Sequence, residues 1–251
     1  MKSKRSRLDR YLAECLSINR RDVRLLLAQG RVRVDHHIAT NIQQLVDEYT
    51  HVQLDDQILQ DKTPSYIQLH KPRGVVSATK DPRHPTVMDL LPGGYPEDLH
   101  IVGRLDYNST GLMLLTNDGR WSRRLSEPGS GIKKRYLVRL DSPVTQQVVD
   151  GFAAGIYFPY EDLTTRPVVV SPVNGRAVQV TLEEGRYHQI KRMFGHFQIA
   201  VVALHRLSVG NLVLDHNLQE GQSRPLRVTE VEHIFDPPDG GPRDPEKPIE
   251  R

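Results

Sequence analysis

The chain has 251 residues, of which 37% are hydrophobic and 26% charged, with a net charge of +3 at neutral pH. This length permits one or two domains with a substantial core, and the residue balance excludes a globally disordered chain. No apolar run approaches the roughly 20 residues that span a bilayer, and no apolar segment follows the basic N-terminus as in a secretory signal. A cytoplasmic protein with no membrane partner is expected, and the lone Cys15 agrees with a reducing compartment.

Leu8, Tyr11, Leu12, Cys15 and Leu16 recur at helical spacing and form one apolar face. Asn19 follows as a candidate N-cap with Asp22 in the first turn, Val23, Leu26 and Leu27 continue a second short helix, and Gly30 ends it. Residues 31–34 and 51–54 alternate as strands. Residues 1–35 carry a net charge of +6, with Arg20, Arg21, Arg24 and Arg31 among the cations. Residues 55–65 are polar and acidic, as in an interdomain linker. The pattern gives a small helix–helix–strand module over residues 1–60.

From residue 66 strand-like runs dominate, at 66–69, 100–102, 112–116, 136–140, 168–170, 177–182 and 201–204. Helical patterns interrupt them at 121–125, 144–154 and 188–197. Without regular βαβ alternation, an α+β domain on a mixed, mainly antiparallel sheet is expected over residues 64–235. Residues 120–139 carry a second net charge of +6. Two basic islands on a nearly neutral chain point to a polyanionic partner or, alternatively, to solvated surface charge. The tail, residues 236–251, has five prolines and two glycines and is expected to be disordered.

The chain lacks a phosphate-binding G-x-x-x-x-G-K-[ST] loop, a G-x-S-x-G elbow and an H-E-x-x-H zinc helix, and its histidines lack metal-ligand spacing. The segment from Gly103 through Arg104, Leu105 and Asp106 to Gly111 is different. Arg104 and Asp106 stand two apart and can leave one face of a strand edge, followed by a loop of small polar residues that Gly111 bounds. Alone, this reads as a surface ion pair; its context adds weight to a functional reading. Glu184-Gly185-Arg186-Tyr187-His188-Gln189-Ile190-Lys191-Arg192 opens a helix whose Ile190, Met193, Phe194 and Phe197 bury one face, leaving His188, Lys191 and Arg192 at a cleft rim. Lys133-Lys134-Arg135 stand before Tyr136. Cations for phosphates beside an aromatic ring for an unpaired base suit RNA more than duplex DNA.

These segments resemble the ribosomal-RNA pseudouridine synthases, in the branch that acts on the small subunit. The family's G-R-L-D with T-G-L-x-L-x-T-N-D-G is present at 103–106 and 110–119, its lysine–tyrosine strand at 133–136, and its E-G-R-x-H-Q-[IV]-[KR]-R-M at 184–193. Its opening K-P-x-G matches Lys71 to Gly74. The resemblance implies isomerisation of uridine to pseudouridine, with uridine 516 of 16S ribosomal RNA as the target and a large-subunit (23S) target as the alternative. It implies Asp106 as the essential carboxylate, acting as a nucleophile at C1′ or as a base at C2′. Lys191 is its basic partner, and Tyr136 stacks on the base. Arg104, Lys71, Arg186, His188 and Gln189 would contact the RNA, although His188 could equally cap the helix.

Neither metal nor organic cofactor is required for such an isomerisation. The first sixty residues resemble an S4-type RNA-binding domain, in which Asn19-Arg20-Arg21 and Gly30-Arg31-Val32-Arg33-Val34 fit the pattern and Asn19 replaces the common serine. The implied partner is 16S ribosomal RNA or a partly assembled small subunit, with a monomer as the default. Two rivals stand outside this class. One is a non-catalytic RNA-binding assembly factor; the other is a hydrolase pairing Asp106 with Asp118, disfavoured because Asn117-Asp118-Gly119 reads as a turn.

Overall fold

The apolar stripes of the first segment do form helices. The computed structural model describes residues 5–127 and 129–236, and the chain divides into two units, Met1–Pro64 and Ser65–Arg251. In the first, β1 (Ser6–Arg7) leads into α1 (Leu8–Leu16) and α2 (Arg20–Ala28). The Asn19 side chain accepts a hydrogen bond from the Asp22 amide at 3.0 Å and so caps α2, as expected. Gly30 follows the helix at φ +67°, a left-handed conformation that glycine adopts without steric cost.

Strands β2 (Val32–Val34), β3 (His37–Ile38), β4 (Leu45–Val46), β5 (Val52–Leu54) and β6 (Gln57–Gln60) complete this unit. Four of them form an antiparallel sheet in the order β3-β2-β5-β6. Leu8, Leu12, Val23 and Leu27 from the helices pack on Val32, Val34 and Val52 from the sheet. The segment expected to be linker from residue 55 is therefore in part structured. Asp55, at φ +51°, makes the hairpin turn into β6, and the boundary falls after Pro64.

The second unit is built on one nine-stranded sheet. In chain order its elements begin β7 (Tyr66–Lys71), β8 (His100–Val102), β9 (Thr110–Thr116), α3 (Gly119–Ser126), β10 (Lys134–Leu140) and α4 (Gln146–Ala154). There follow β11 (Tyr157–Phe158), β12 (Leu163–Thr164), β13 (Val169–Asn174), β14 (Ala177–Leu182) and α5 (Gln189–His196). The last are β15 (Val201–Val209), β16 (Leu212–Val213), β17 (Ser223–Pro225) and α6 (Val228–His233).

The main path runs β13-β14-β10-β15-β9-β7-β17, with β8 beside β9 and β16 beside β15. Its pairs are antiparallel except β15 with β9, so the sheet is mixed and mainly antiparallel, and the fold class is α+β as expected. β9 is apolar from Leu112 to Leu115 because both of its faces are covered there. Met113 and Leu115 join a core with Phe152 of α4 and Met193 and Phe194 of α5. Leu112 and Leu114 join a second core with Trp121 and Leu125 of α3 and Ile234.

The parallel junction sets the geometry of the site. Arg206 pairs with Gly111, and a Cβ at Gly111 would stand 2.3 Å from the Arg206 carbonyl oxygen. No described helix is long and apolar enough to cross a membrane. The proline-rich tail expected to be disordered lies, from residue 237, outside the described residues.

Candidate active site

Residues 103–109 form the connection between β8 and β9, so Arg104 and Asp106 stand on a loop rather than on the strand edge expected from their spacing, and Gly111 lies inside β9. The loop is held from below. Buried Leu105 anchors it, and its backbone is bracketed by one hydroxyl: Ser77 Oγ donates to the Leu105 carbonyl at 2.6 Å and accepts from the Leu105 amide at 3.1 Å. The Ser109 amide donates to the Asp106 carbonyl at 3.0 Å and closes a turn. Arg206, itself buried, donates through Nε to the Leu112 carbonyl at 2.7 Å and through a terminal nitrogen to the Arg104 carbonyl at 3.4 Å.

Lys71 completes this support and corrects an expectation. It is fully buried, and its ammonium donates to the carbonyls of Pro72 and Ser109 at 2.9 Å each and of Tyr107 at 3.4 Å. An ammonium committed in this way does not meet RNA; it fixes the loop that carries Asp106. Burial pushes its pKa down to about 8, against the opposing pull of Asp106 and Glu220.

The facing wall runs from the end of β14 into α5. Glu184 organises it, accepting from Gln189 Nε2 at 2.7 Å, from Arg186 Nε at 3.0 Å and from the Arg166 amide at 2.9 Å. Gln189 Oε1 accepts from the Arg186 amide at 3.0 Å, so this buried amide braces the turn instead of offering its polar atoms to RNA. His188 occupies the N-cap position of α5 with φ +49°, but its ring makes no capping bond. Instead Nε2 stands 3.4 Å from Asp106 Oδ1. That leaves His188 in the cleft and removes the capping alternative.

Ile190, Met193 and Phe194 bury the core-facing side of α5, which turns Lys191 toward the loop. Its ammonium lies 2.7 Å from Asp106 Oδ2 in a half-exposed ion pair. Such a pair, formed across 85 residues of sequence, orients the carboxylate. Arg192 faces away: it pairs with Glu161 and lies 3.7 Å over the Phe158 ring, so it does not serve the cleft rim.

Tyr136 forms the floor. β10 places it opposite Val180 on β14 and Arg206 on β15, and the residue is 7% exposed, packed in the core while lining the cleft. One concave space is thus lined by Arg104, Asp106, Tyr136, Arg186, His188 and Lys191. Arg104 and Arg186 stand exposed at its mouth, the first without an ion-pair partner among the described residues and the second shared with Glu184. Asp118 is elsewhere engaged, capping α3 through the Arg120 and Trp121 amides and accepting from the Tyr66 hydroxyl at 2.8 Å. It is not available to pair with Asp106.

In the first unit Arg20, Arg21 and Arg24 are exposed along α2. Arg31 is exposed too, but its guanidinium forks onto Asp55, at 2.6 Å in its shortest contact.

Residues 65–196 match the family model described as RNA pseudouridylate synthase. A relative from Pseudomonas aeruginosa, ribosomal small subunit pseudouridine synthase A, is 51% identical over 226 residues, covering 90% of this chain and 98% of its own. The chain belongs to the RNA pseudouridylate synthase family. Its counterpart of the same name from Escherichia coli K12 is 38% identical over 229 residues, with 91% and 99% of the two chains covered. A solved crystal structure of a pseudouridylate synthase superposes with a TM-score of 0.66 at 34% identity, covering 91% of this chain and 99% of that one. The protein is a pseudouridine synthase, an isomerase.

In this synthase the loop supports Ser77 and Arg206 were not legible as site residues. Arg206 carries a faint signal, a cation inside the otherwise apolar-rich strand Val201–Val209; Ser77 carries none.

Proposed function

We propose that the synthase isomerises a uridine of small-subunit ribosomal RNA, uridine 516 of the 16S molecule, using Asp106 as its catalytic carboxylate. The observation that carries this reading is the Asp106–Lys191 pair at 2.7 Å, which lines one cleft together with Tyr136. The small-subunit target rests on the names and near full-length coverage of the relatives. A partly assembled small subunit fits the same reading as substrate, and the cytoplasm is where such particles are met.

The reaction breaks the N1–C1′ bond, turns the uracil and joins C5 to C1′; the C5 proton leaves and N1 ends protonated, so atoms and charge balance without a co-reactant. Lys191 holds Asp106 Oδ2, leaving Oδ1 on the His188 side of the carboxylate. From there the carboxylate either adds to C1′ and is displaced by C5, or removes the C2′ proton to give a glycal. Tyr136 stacks on the base that has left the RNA helix. Arg104 and Arg186, at the mouth, meet the phosphates; His188 contacts the nucleotide beside Asp106.

The first unit serves as an S4-like RNA-binding domain, presenting Arg20, Arg21 and Arg24 to phosphates. Mapping pseudouridine in small- and large-subunit RNA after incubation with the protein tests the assignment. A new pseudouridine at position 516 of 16S RNA is expected. Modification confined to 23S RNA would move the target, and tight binding without modification of either would leave an assembly factor.

A further inference from the structure

Tyr187 plays no part in the chemistry above, yet it is the most unusual side chain around the cleft. It is 74% exposed, which an aromatic ring of this size avoids when packing is available. Its inner face lies flat on the His188 ring, centroids 3.9 Å apart and planes 17° from parallel. His188 in turn reaches Asp106 Oδ1 at 3.4 Å. A continuous chain of contacts therefore leads from the catalytic carboxylate through His188 to the stacked Tyr187 ring and ends in an open aromatic face.

The backbone is bent to produce this stack. His188 holds φ +49° and ψ +29°, a left-handed conformation that is strained for a residue bearing a side chain. The turn is kept there by the Gln189 bonds to Arg186 and Glu184, by the Arg192 amide on the His188 carbonyl at 2.9 Å, and by the Arg192 guanidinium on the Tyr187 carbonyl at 3.5 Å. A rigid, strained turn that exposes a ring is preorganised to bind something flat.

We propose that the outer face of Tyr187 is a stacking platform for an unpaired RNA base adjacent to the target uridine. This rests on the reading that an RNA uridine is isomerised at Asp106. The exposed Arg186, next in sequence, and Arg104, across the cleft, supply the positive field that an RNA strand follows, and every base offers a π face to stack on. Tyr107, the other exposed tyrosine near Asp106, is less open at 43% and meets His84 edge-on at 5.4 Å, so it presents no comparable flat step. With the target base on Tyr136 and its neighbour on Tyr187, the enzyme reads the loss of regular stacking around the uridine, and thus selects single-stranded or opened RNA.

The test is steady-state release of tritium from C5-labelled 16S RNA, free and as a partly assembled particle, by wild type, Tyr187→Ala, Tyr187→Leu and Tyr187→Trp. Loss of one base–aromatic stack is expected to raise KM about tenfold in the Ala and Leu variants, with kcat reduced by at most a few-fold, while Trp restores KM. A 2-aminopurine placed next to the target should be quenched on binding to wild type and to the Trp variant, but not to the Ala variant. An unchanged KM with unchanged quenching overturns the platform. A fall in kcat alone overturns it too, since the ring would then act through His188 on Asp106. No release from any substrate by wild type defeats the underlying isomerase reading at this site, and the platform with it.

Discussion

Gly111→Ala is the sharpest structural perturbation available at the site. The new methyl group would stand 2.3 Å from the Arg206 carbonyl oxygen and 2.6 Å from its nitrogen, both backbone atoms that cannot rotate away. Ordinary contact needs about 1 Å more, so β9 and β15 must separate at their parallel junction. Gly111 also holds φ +106°, a region unfavourable to any residue with a Cβ. Overpacking costs about 1–3 kcal/mol and the backbone conformation about 1–2 kcal/mol, giving about 2–5 kcal/mol in all. In a unit of this size that lowers the melting midpoint by about 10 °C.

The sole tryptophan, Trp121, is buried against this sheet, so its fluorescence in urea follows this unit without a contribution from the first. Gly93→Ala, with nothing within 4 Å of the added carbon, is the control and should be near neutral. A Gly111→Ala midpoint shift no larger than that of the control would refute the argument that the junction requires glycine.

The remaining predictions concern charge. Because burial lowers the Lys71 pKa to about 8 from 10.5, the unfolded chain binds this proton between those pH values while the folded chain has released it. Stability from this group therefore rises with pH through that window, by about 1.4 kcal/mol per unit at most, and is lost as pH falls through 8. Urea midpoints of Lys71→Met should lack this rise, and equal slopes in variant and wild type would contradict it. Replacing Arg20, Arg21 and Arg24 together by Ala should reduce the salt slope of RNA affinity by about 2, as three lost phosphate contacts require. An unchanged slope in a binding titration from low to moderate salt would show that α2 does not touch RNA.

Periodic elements were legible in the sequence because one residue type decides each of them. Asn19 caps α2, the apolar stripes place α1, α2 and α5, and the expected strands at 100–102 and 177–182 are those observed. Elements that depend on a distant partner were not. Gln57–Gln60 reads as polar linker because β6 is an edge strand, and the acids before it form a hairpin turn held by Arg31. Val228–His233 is a six-residue helix with no buried residue, so no stripe announces it.

Within the site, the motif residues Asp106, Lys191, Tyr136 and Arg104 do converge on one cleft. Lys71 and Gln189 were misread for a common reason. A cation or an amide inside a functional motif looks the same in sequence whether it faces the ligand or holds the loop that does. Burial separates the two, and burial of Lys71 under residues 107–109 is set by the pairing of β7 with β9. The left-handed turn at His188 was equally silent, since the bonds that hold it come from Glu184, Gln189 and Arg192.

The most direct test of the central claim is tritium release from 16S RNA labelled at uracil C5, with wild type and Asp106→Asn compared at equal concentration. The account predicts that wild type releases tritium in step with pseudouridine formation. Asp106→Asn should release none, while keeping its RNA affinity within a few-fold and its Trp121 unfolding midpoint close to that of wild type. Release by Asp106→Asn at a rate near that of wild type would contradict the assignment of Asp106 as the catalytic carboxylate.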